Sequence, residues 1–212
     1  MALIARGSNG DSGFTPVPQG MHLARCYRIV DLGTQKSEWQ GTVKMLPKVM
    51  LQFEVHGEDD SGKPLLTGKG EPLSISKNFT LSLAEKATLR NDLANWRGRD
   101  FTSDELRGFE LKNVMGHWAM ISVSKEAGMN GKEYTNIKTI NPVPASIKKA
   151  GLPEGVNKVG IFSIDEPDED MLASFSDNLR LKIMASPEWQ NKYGSKTPVK
   201  STIEDMDDDI PF

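Results

Sequence analysis

Residues Lys48 to Val55 have an aliphatic or aromatic side chain at every second position, with Lys48, Met50, Gln52 and Glu54 between them, and this pattern restricts the fold more than any other feature of the chain. Because successive side chains of a β-strand point to opposite faces, the apolar members would share one face of a strand. These members are Val49, Leu51, Phe53 and Val55. The pattern predicts a half-buried strand, and such strands are typical of antiparallel sheets.

Four further segments alternate in the same way or are rich in β-branched and aromatic residues. They are His22–Leu32, Leu73–Leu81, Trp118–Lys125 and Glu133–Ile140. The last two flank a loop that contains Gly128, Asn130 and Gly131, which is typical of a hairpin connection. The segment Gly33–Leu46 is predicted to be a polar loop, with Trp39 exposed in its middle.

Two helices are predicted between the third and fourth strands. Ser82 and Glu85 have the spacing of a capping box, so we expect a helix to begin there. Its apolar face and its end are predicted from the residues that follow: Leu89, Leu93, Trp96 and Gly98. Thr102 and Glu105 repeat the capping-box spacing and predict a short second helix.

Three strands, a helix and a two-stranded hairpin form the element order of an oligonucleotide-binding (OB) fold. The predicted fold class is therefore mainly β: a five-stranded OB-fold barrel with a helix between strands 3 and 4, although other small β folds fit the same pattern. The predicted division of the chain is an arm (1–20) that is flexible or laid over the domain as a strap, the barrel (21–145), an extension (146–185) and a disordered linker with an acidic tip (186–212). Within the extension we expect a helix over Asp168–Met184 and a strand within Gly155–Ile164.

Charge is divided unevenly along the chain, whose net charge is −3. Residues 1–164 contain 21 basic and 17 acidic residues, a balance of +4, whereas residues 165–212 contain 5 basic and 12 acidic residues, a balance of −7. This asymmetry predicts a body that attracts an anion and a tail that repels it or competes for the same surface.

Cysteine content and hydropathy predict a cytoplasmic protein. Cys26 is the only cysteine, so the chain has no internal disulfide, and a single thiol suits a reducing compartment. No apolar run approaches the roughly 20 residues that cross a bilayer, and no signal peptide precedes the body.

The chain ends in an acidic run closed by an aromatic residue: Asp207, Asp208, Asp209, Ile210, Pro211 and Phe212. Neighbouring carboxylates repel one another and favour an extended segment. Phe212 supplies a ring and the main-chain carboxylate to any pocket with an apolar floor and a basic rim. This ending, DDDIPF, closely resembles the acidic tip of bacterial single-stranded DNA-binding proteins, and the resemblance implies that it recruits replication and repair enzymes.

The body resembles a different branch of these proteins. It is longer than the bacterial type, has two helical segments after its third strand, and lacks a long Gln- and Gly-rich linker. Its segments IVDLGTQ (Ile29–Gln35) and FTLSLAEKATLRNDLANWRGRDFTSDEL (Phe79–Leu106) are similar to segments of bacteriophage-encoded single-stranded DNA-binding proteins with this barrel. The resemblance implies a protein that coats single-stranded DNA without sequence preference in replication, recombination and repair.

Binding of this kind requires cations for phosphates and flat side chains on which bases stack. The candidates on the predicted strands and loops are Arg25, Tyr27, Arg28, Lys36, Trp39, Lys44, Lys48, Lys77, Phe79, Trp118, Lys125, Lys132, Tyr134 and Lys138. Trp39 is the strongest stacking candidate because it lies between polar neighbours. Phe79 and Trp118 fit a core position equally well.

No residue pattern indicates catalysis, a metal site or a cofactor. The histidines are scattered along the chain, and Cys26 lies within an apolar strand, which favours an inert thiol. We therefore expect a non-enzyme whose partners are single-stranded DNA and replication proteins, with no membrane association; a homo-oligomer is compatible with the sequence. The alternative is an OB-fold protein adaptor with weak DNA affinity, such as a recombination mediator or an inhibitor that mimics the host tip.

Overall fold

The computed structural model describes residues 15–39, 41–127 and 133–194. In these ranges the strands are β1 (Gly20–Trp39), β2 (Thr42–His56), β3 (Leu73–Thr80), β4 (Trp118–Ala127), β5 (Glu133–Asn141) and β6 (Gly160–Phe162). They form one mainly antiparallel sheet in the order β3-β2-β1-β4-β5, and β6 pairs in parallel with β1. The predicted mainly β fold is confirmed.

Short helices connect and extend the sheet. They are α1 (Thr88–Arg97), α2 (Ser103–Arg107), a 3-10 helix (Leu111–Val114), α3 (Ala145–Ala150), α4 (Glu169–Ala173), α5 (Asp177–Met184) and α6 (Pro187–Tyr193). No helix in the described part of the chain has the length and apolar character needed to cross a membrane.

The main core lies on the inner face of the sheet, as the alternation of β2 predicts. Leu51, Phe53 and Val55 are fully buried there. Helix α1 covers this core with its predicted apolar face, in which Leu93 is fully buried and the Trp96 ring lies 5.7 Å from that of Phe53. The outer face of β3, which is opposite this core, is left for other contacts.

The two ends of the sheet approach each other without pairing. The Lys77 ammonium on β3 donates hydrogen bonds to Asp92 Oδ2 on α1 at 2.7 Å and to the main-chain carbonyl of Lys138 on β5 at 3.0 Å. No hydrogen-bonded ladder joins β3 to β5 in the described ranges, so the sheet is open there. The closed barrel that we expected is not formed by main-chain pairing.

The prediction of a polar loop at Gly33–Leu46 is wrong, because β1 and β2 continue as a two-stranded ribbon as far as the pair Trp39 and Thr42. Gly33 adopts a φ of 66° at a bulge in β1 instead of ending the strand. A Cβ on Gly33 would lie 2.5 Å from the Cβ of Ser186, so this position also allows the start of α6 to approach β1 closely.

Two of the helix predictions need correction. Helix α1 begins at Thr88, because the Ser82 hydroxyl accepts a hydrogen bond from the Ala84 N–H at 3.2 Å and forms a local turn instead of a cap. The helix predicted over Asp168–Met184 is divided into α4 and α5, because Ser176 caps a new helix. The second predicted capping box, at the start of α2, is confirmed.

A second core joins the outer face of β1 and β2 to residues 160–194, which we call the C-terminal unit. Val30, Leu32 and Met50 are buried from the sheet side. The C-terminal unit contributes Phe162, Ile164, Phe175, Ile183 and Trp189. The prediction of a linker from Ser186 is therefore wrong for residues 186–194, since Ser186 caps α6 and α6 belongs to this core. The rest of the predicted linker lies outside the described residues.

The arm predicted as flexible over residues 1–20 also has a packed part. Val17 is buried in the main core, and the His22 ring forms a hydrogen bond to the Pro18 carbonyl at 2.8 Å. Residues 15–19 therefore belong to the folded body. Residues 1–14 lie outside the described ranges.

Candidate nucleic-acid interface

The outer face of β2 and β3 carries a row of polar side chains, most of them uncharged. Facing pairs in this row are Gln52 with Ser76, and Met50 with Asn78, followed by Lys48 with Thr80. Met50 is covered by the C-terminal unit, whereas Ser76 and Asn78 are exposed, and Gln52 and Thr80 are half-buried. We call Lys48, Gln52, Ser76, Asn78 and Thr80 the polar strip.

The β1–β2 ribbon extends the polar strip beyond the body of the sheet. Lys44 stands four residues before Lys48 on β2, an even spacing that keeps it on the same side, and it pairs with Ser37. Lys36 pairs with Met45 and occupies the other side of the ribbon. Both Lys36 and Lys44 are exposed. The backbone of Trp39 ends β1 in this ribbon, and its side chain lies outside the described residues.

Arg25, a predicted DNA contact, instead forms an ion pair with a buried carboxylate. Its Nε lies 2.8 Å from Glu54 Oε1, and its Nη2 donates to the Asn157 carbonyl at 2.5 Å. Burial raises the pKa of the Glu54 carboxyl, but hydrogen bonds from Asn157, His56 and Val156 outweigh burial and hold this pKa below its usual range. The role of Arg25 is therefore to attach the segment before β6 to the sheet.

Three other predicted cations also have acidic partners. Lys77 pairs with Asp92, whose pKa is raised because burial outweighs the opposing effect of that lysine. Lys125 lies 3.2 Å from Glu133, and Lys138 pairs with Glu126. The charge of the β3–β5 side is thereby largely neutralised. In contrast, no carboxylate of the described residues lies within ion-pairing distance of Arg28, Lys36 or Lys44.

The predicted stacking residues are distributed between the core and the surface. Tyr27 and Phe79 are 4% and 3% exposed, so neither ring offers a face to a base, and their assignment as stacking platforms is corrected. Tyr27 lies on the outer face, where its hydroxyl is 3.3 Å from Ser74 Oγ, and burial raises the pKa of its phenol. Tyr134 is exposed near the start of β5. Lys132 and the tip residues Asp207–Phe212 lie outside the described residues.

Trp118 occupies a different surface from the polar strip. It is half-buried at the start of β4, and its ring meets the His56 ring edge-on at 4.9 Å. It lines a cavity of about 470 Å³ together with Arg97, Phe109 and Val143. The sequence places Trp118 among the DNA contacts, but the fold does not bring it to the row formed by β2 and β3.

Sequence reasoning missed Gln52, Ser76, Asn78 and Thr80 because no one of them has a distinctive chemistry. The signal was present in the alternation of β3, where polar residues separate the buried Leu73, Ile75 and Phe79. Uncharged donors and acceptors on an exposed strand face can bind phosphates, sugars and bases.

The described residues contain neither a candidate metal cluster nor an accessible thiol. No group of three or more His, Cys, Asp or Glu side chains in this part of the chain is arranged to hold a metal ion. Burial raises the pKa of the Cys26 thiol to about 12, so this sulfur is protonated and inert at neutral pH. No protein-family model matches the chain, and no curated protein matches it in sequence.

Proposed function

We propose that this protein binds single-stranded DNA without sequence preference and that the body is an OB-type barrel. The proposal for the fold is supported by the strand order and by Lys77, which connects the two sheet edges that a closed barrel would join. A helix between the third and fourth strands agrees with the same proposal.

The single observation that carries the DNA-binding proposal is the continuity of the polar strip with the exposed ribbon. Lys44 and Lys48 follow one side of β2, and hydroxyl and amide groups continue that side along β3. The only carboxylate that faces this row from β2 is Glu54, and it is buried against Arg25. A phosphate backbone can therefore follow the strip without meeting an exposed acidic side chain of β2 or β3.

The acidic ending supports a second part of the proposal, which is the recruitment of replication and repair enzymes by Asp207–Phe212. Its charge opposes DNA binding, so the ending suits a protein partner better than a nucleic acid. In this proposal the polar strip binds DNA, and Asp207–Phe212 recruits the partner enzymes.

A protein adaptor with weak DNA affinity is the second candidate. The ion pairs of Lys77, Lys125 and Lys138 favour it, because they remove three of the predicted cations from contact with phosphates. The two candidates differ in whether DNA affinity depends on the lysines of the ribbon.

Titration of a fluorescent oligo-dT with the full-length protein at several salt concentrations tests the proposal. For a single strand the logarithm of the affinity falls with the logarithm of salt by about 0.7 per phosphate contact, so the variant K44Q should reduce the slope by about 0.7. K69Q is the matched control, because Lys69 is exposed in the loop at the opposite end of β2. Absence of binding at low salt would leave the adaptor as the better candidate.

A further inference from the structure

A bulge in β1 turns two consecutive side chains toward the outer face. The pairing with β2 skips Tyr27, because Cys26 pairs with Phe53 and Arg28 pairs with Gln52. In a regular strand, Tyr27 and Arg28 would lie on opposite faces. Here the Tyr27 hydroxyl reaches Ser74 on the outer face of β3, and the Arg28 guanidinium lies against the same Tyr27 ring.

Two aromatic rings from different parts of the chain hold the Arg28 guanidinium. Its Cζ lies 5.3 Å from the centre of the Tyr27 ring and 5.5 Å from the centre of the Phe175 ring. Both distances are within the range of cation–π attraction. Phe175 belongs to the C-terminal unit, is 6% exposed, and meets the Phe162 ring edge-on at 5.3 Å. The ring that positions Arg28 is therefore itself fixed in the second core.

The charge of Arg28 is not satisfied within the described residues. Neither a carboxylate nor a hydrogen-bond acceptor of this part of the chain occupies its N–H groups, although the side chain is half-buried. This state differs from that of Arg25, which precedes Arg28 by three residues on the same strand and is bound to Glu54. An arginine that contacts aromatic rings instead of hydrogen-bond acceptors keeps its N–H groups available, and these groups match two oxygens of a phosphate.

We propose that Arg28, Tyr27 and Phe175 form a phosphate-binding subsite at the junction between the sheet and the C-terminal unit. The subsite rests on the proposed function, and Gln52, the pairing partner of Arg28, connects it to the polar strip. Arg28 contacts a phosphate of the bound strand, and Phe175 is a positioning residue that acts through Arg28. The C-terminal unit is thereby part of the DNA site and not an appendage to it.

The test uses the full chain, oligo-dT and the variants R28Q, R28K and F175L, with K69Q as the control on the distant loop. R28Q should weaken binding about tenfold, as expected for the loss of a charge-assisted hydrogen bond, and should lower the salt slope by about 0.7. R28K should retain the slope but bind more weakly than the wild type, because an ammonium lacks the planar edge. F175L should weaken binding in the wild-type background and have no further effect in R28Q.

The outcomes distinguish failure of the proposed function from failure of the Arg28 subsite. If the wild type does not bind oligo-dT, the proposed function fails. If the wild type binds and R28Q retains its affinity and slope, the subsite is wrong and the proposed function stands. An equal effect of F175L in both backgrounds would show that Phe175 acts on the fold instead of through Arg28. Thermal unfolding of every variant identifies misfolding, and R28K, which leaves the second core intact, keeps the subsite testable if F175L does not fold.

Discussion

Glu54 is the buried carboxylate on which the attachment of the segment before β6 depends, and replacing it by glutamine tests that attachment. Its Oε1 accepts hydrogen bonds from Arg25 Nε at 2.8 Å and from the Val156 N–H at 3.1 Å. Its Oε2 accepts from the Asn157 N–H at 2.6 Å and from Asn157 Nδ2 at 2.7 Å. An amide nitrogen in place of either oxygen would face two N–H donors.

The expected loss of stability follows from the burial of this group. Glu54 is 0% exposed, and the Arg25 side chain is 14% exposed, so glutamine leaves a nearly buried cation without its partner. Removing one partner of a buried ion pair costs about 3 to 5 kcal/mol. For a chain of this size, that loss corresponds to a decrease in Tm of roughly 6 to 20 °C.

Urea unfolding at pH 7 measures the effect, with E133Q as the matched control. Glu133 pairs with Lys125 on the surface, where the side chains are 69% and 50% exposed, so E133Q should change the free energy of unfolding by less than about 1 kcal/mol. If E54Q and E133Q destabilise the protein equally, the carboxylate does not hold the segment as we describe.

The pH dependence gives an independent check on Glu54. Its pKa in the folded protein is lowered relative to the unfolded chain, so its stabilising contribution is complete above the unfolded value of about 4.3. The contribution is lost as the pH falls through the lower, folded pKa. The difference in unfolding free energy between wild type and E54Q should therefore stay constant from pH 7 to about 5 and shrink in stronger acid.

Three further predictions concern the ribbon, the tip and α6. W39A should weaken oligo-dT binding by about 1 to 3 kcal/mol in an anisotropy titration, and an unchanged affinity would remove Trp39 from the interface. Deletion of Asp207–Phe212 should abolish capture of replication and repair enzymes and leave DNA affinity unchanged or slightly higher, because an anionic segment is removed; weaker DNA binding would contradict this division of tasks. S186A should destabilise the protein by about 1 kcal/mol in thermal unfolding, since the Ser186 hydroxyl accepts from the Trp189 N–H; no change would show that this cap is dispensable.

The strands could be predicted wherever one face is buried and the other is not. The alternating apolar residues Leu51 and Phe53 on β2, and Ile75 on β3, are buried on the inner face, as their spacing predicts. The ribbon formed by the ends of β1 and β2 gave no such signal, because exposed polar residues such as Lys36 and Lys44 occupy both of its faces. Gly33 added to the error, since a glycine at a bulge and a glycine at a strand end look alike in sequence.

The sequence of β1 indicates that a second core exists, but it does not identify the segment that packs there. Ile29 and Val30 are adjacent in β1 and both buried, which occurs where a strand is covered on both faces. The sequence does not say what covers the second face. Ser186 followed by Pro187 is a helix start by local chemistry, but the surrounding polar residues outweighed it in the prediction of a linker.

The candidate site was only partly predictable because ion pairing is a long-range property. Arg25 and Arg28 are equivalent in sequence, yet one is bound to Glu54 and the other lies between two rings. Likewise, Lys138 pairs with Glu126 because β4 and β5 are neighbours. Residue type identified candidates, whereas the tertiary fold decides which cations keep their charge available.

Because β6 pairs with β1 but lies far from it in sequence, this pairing can form only late in translation. Gly160 follows its partner Arg28 by 132 positions, so a ribosome needs about 7 to 26 s to supply the second strand after the first has been made. During that interval the nascent polypeptide has a bare strand edge beside hydrophobic Val30 and Leu32. Unpaired edges of this kind are sites of aggregation, so chaperone binding to the nascent chain should be greatest before Gly160–Phe162 is synthesised.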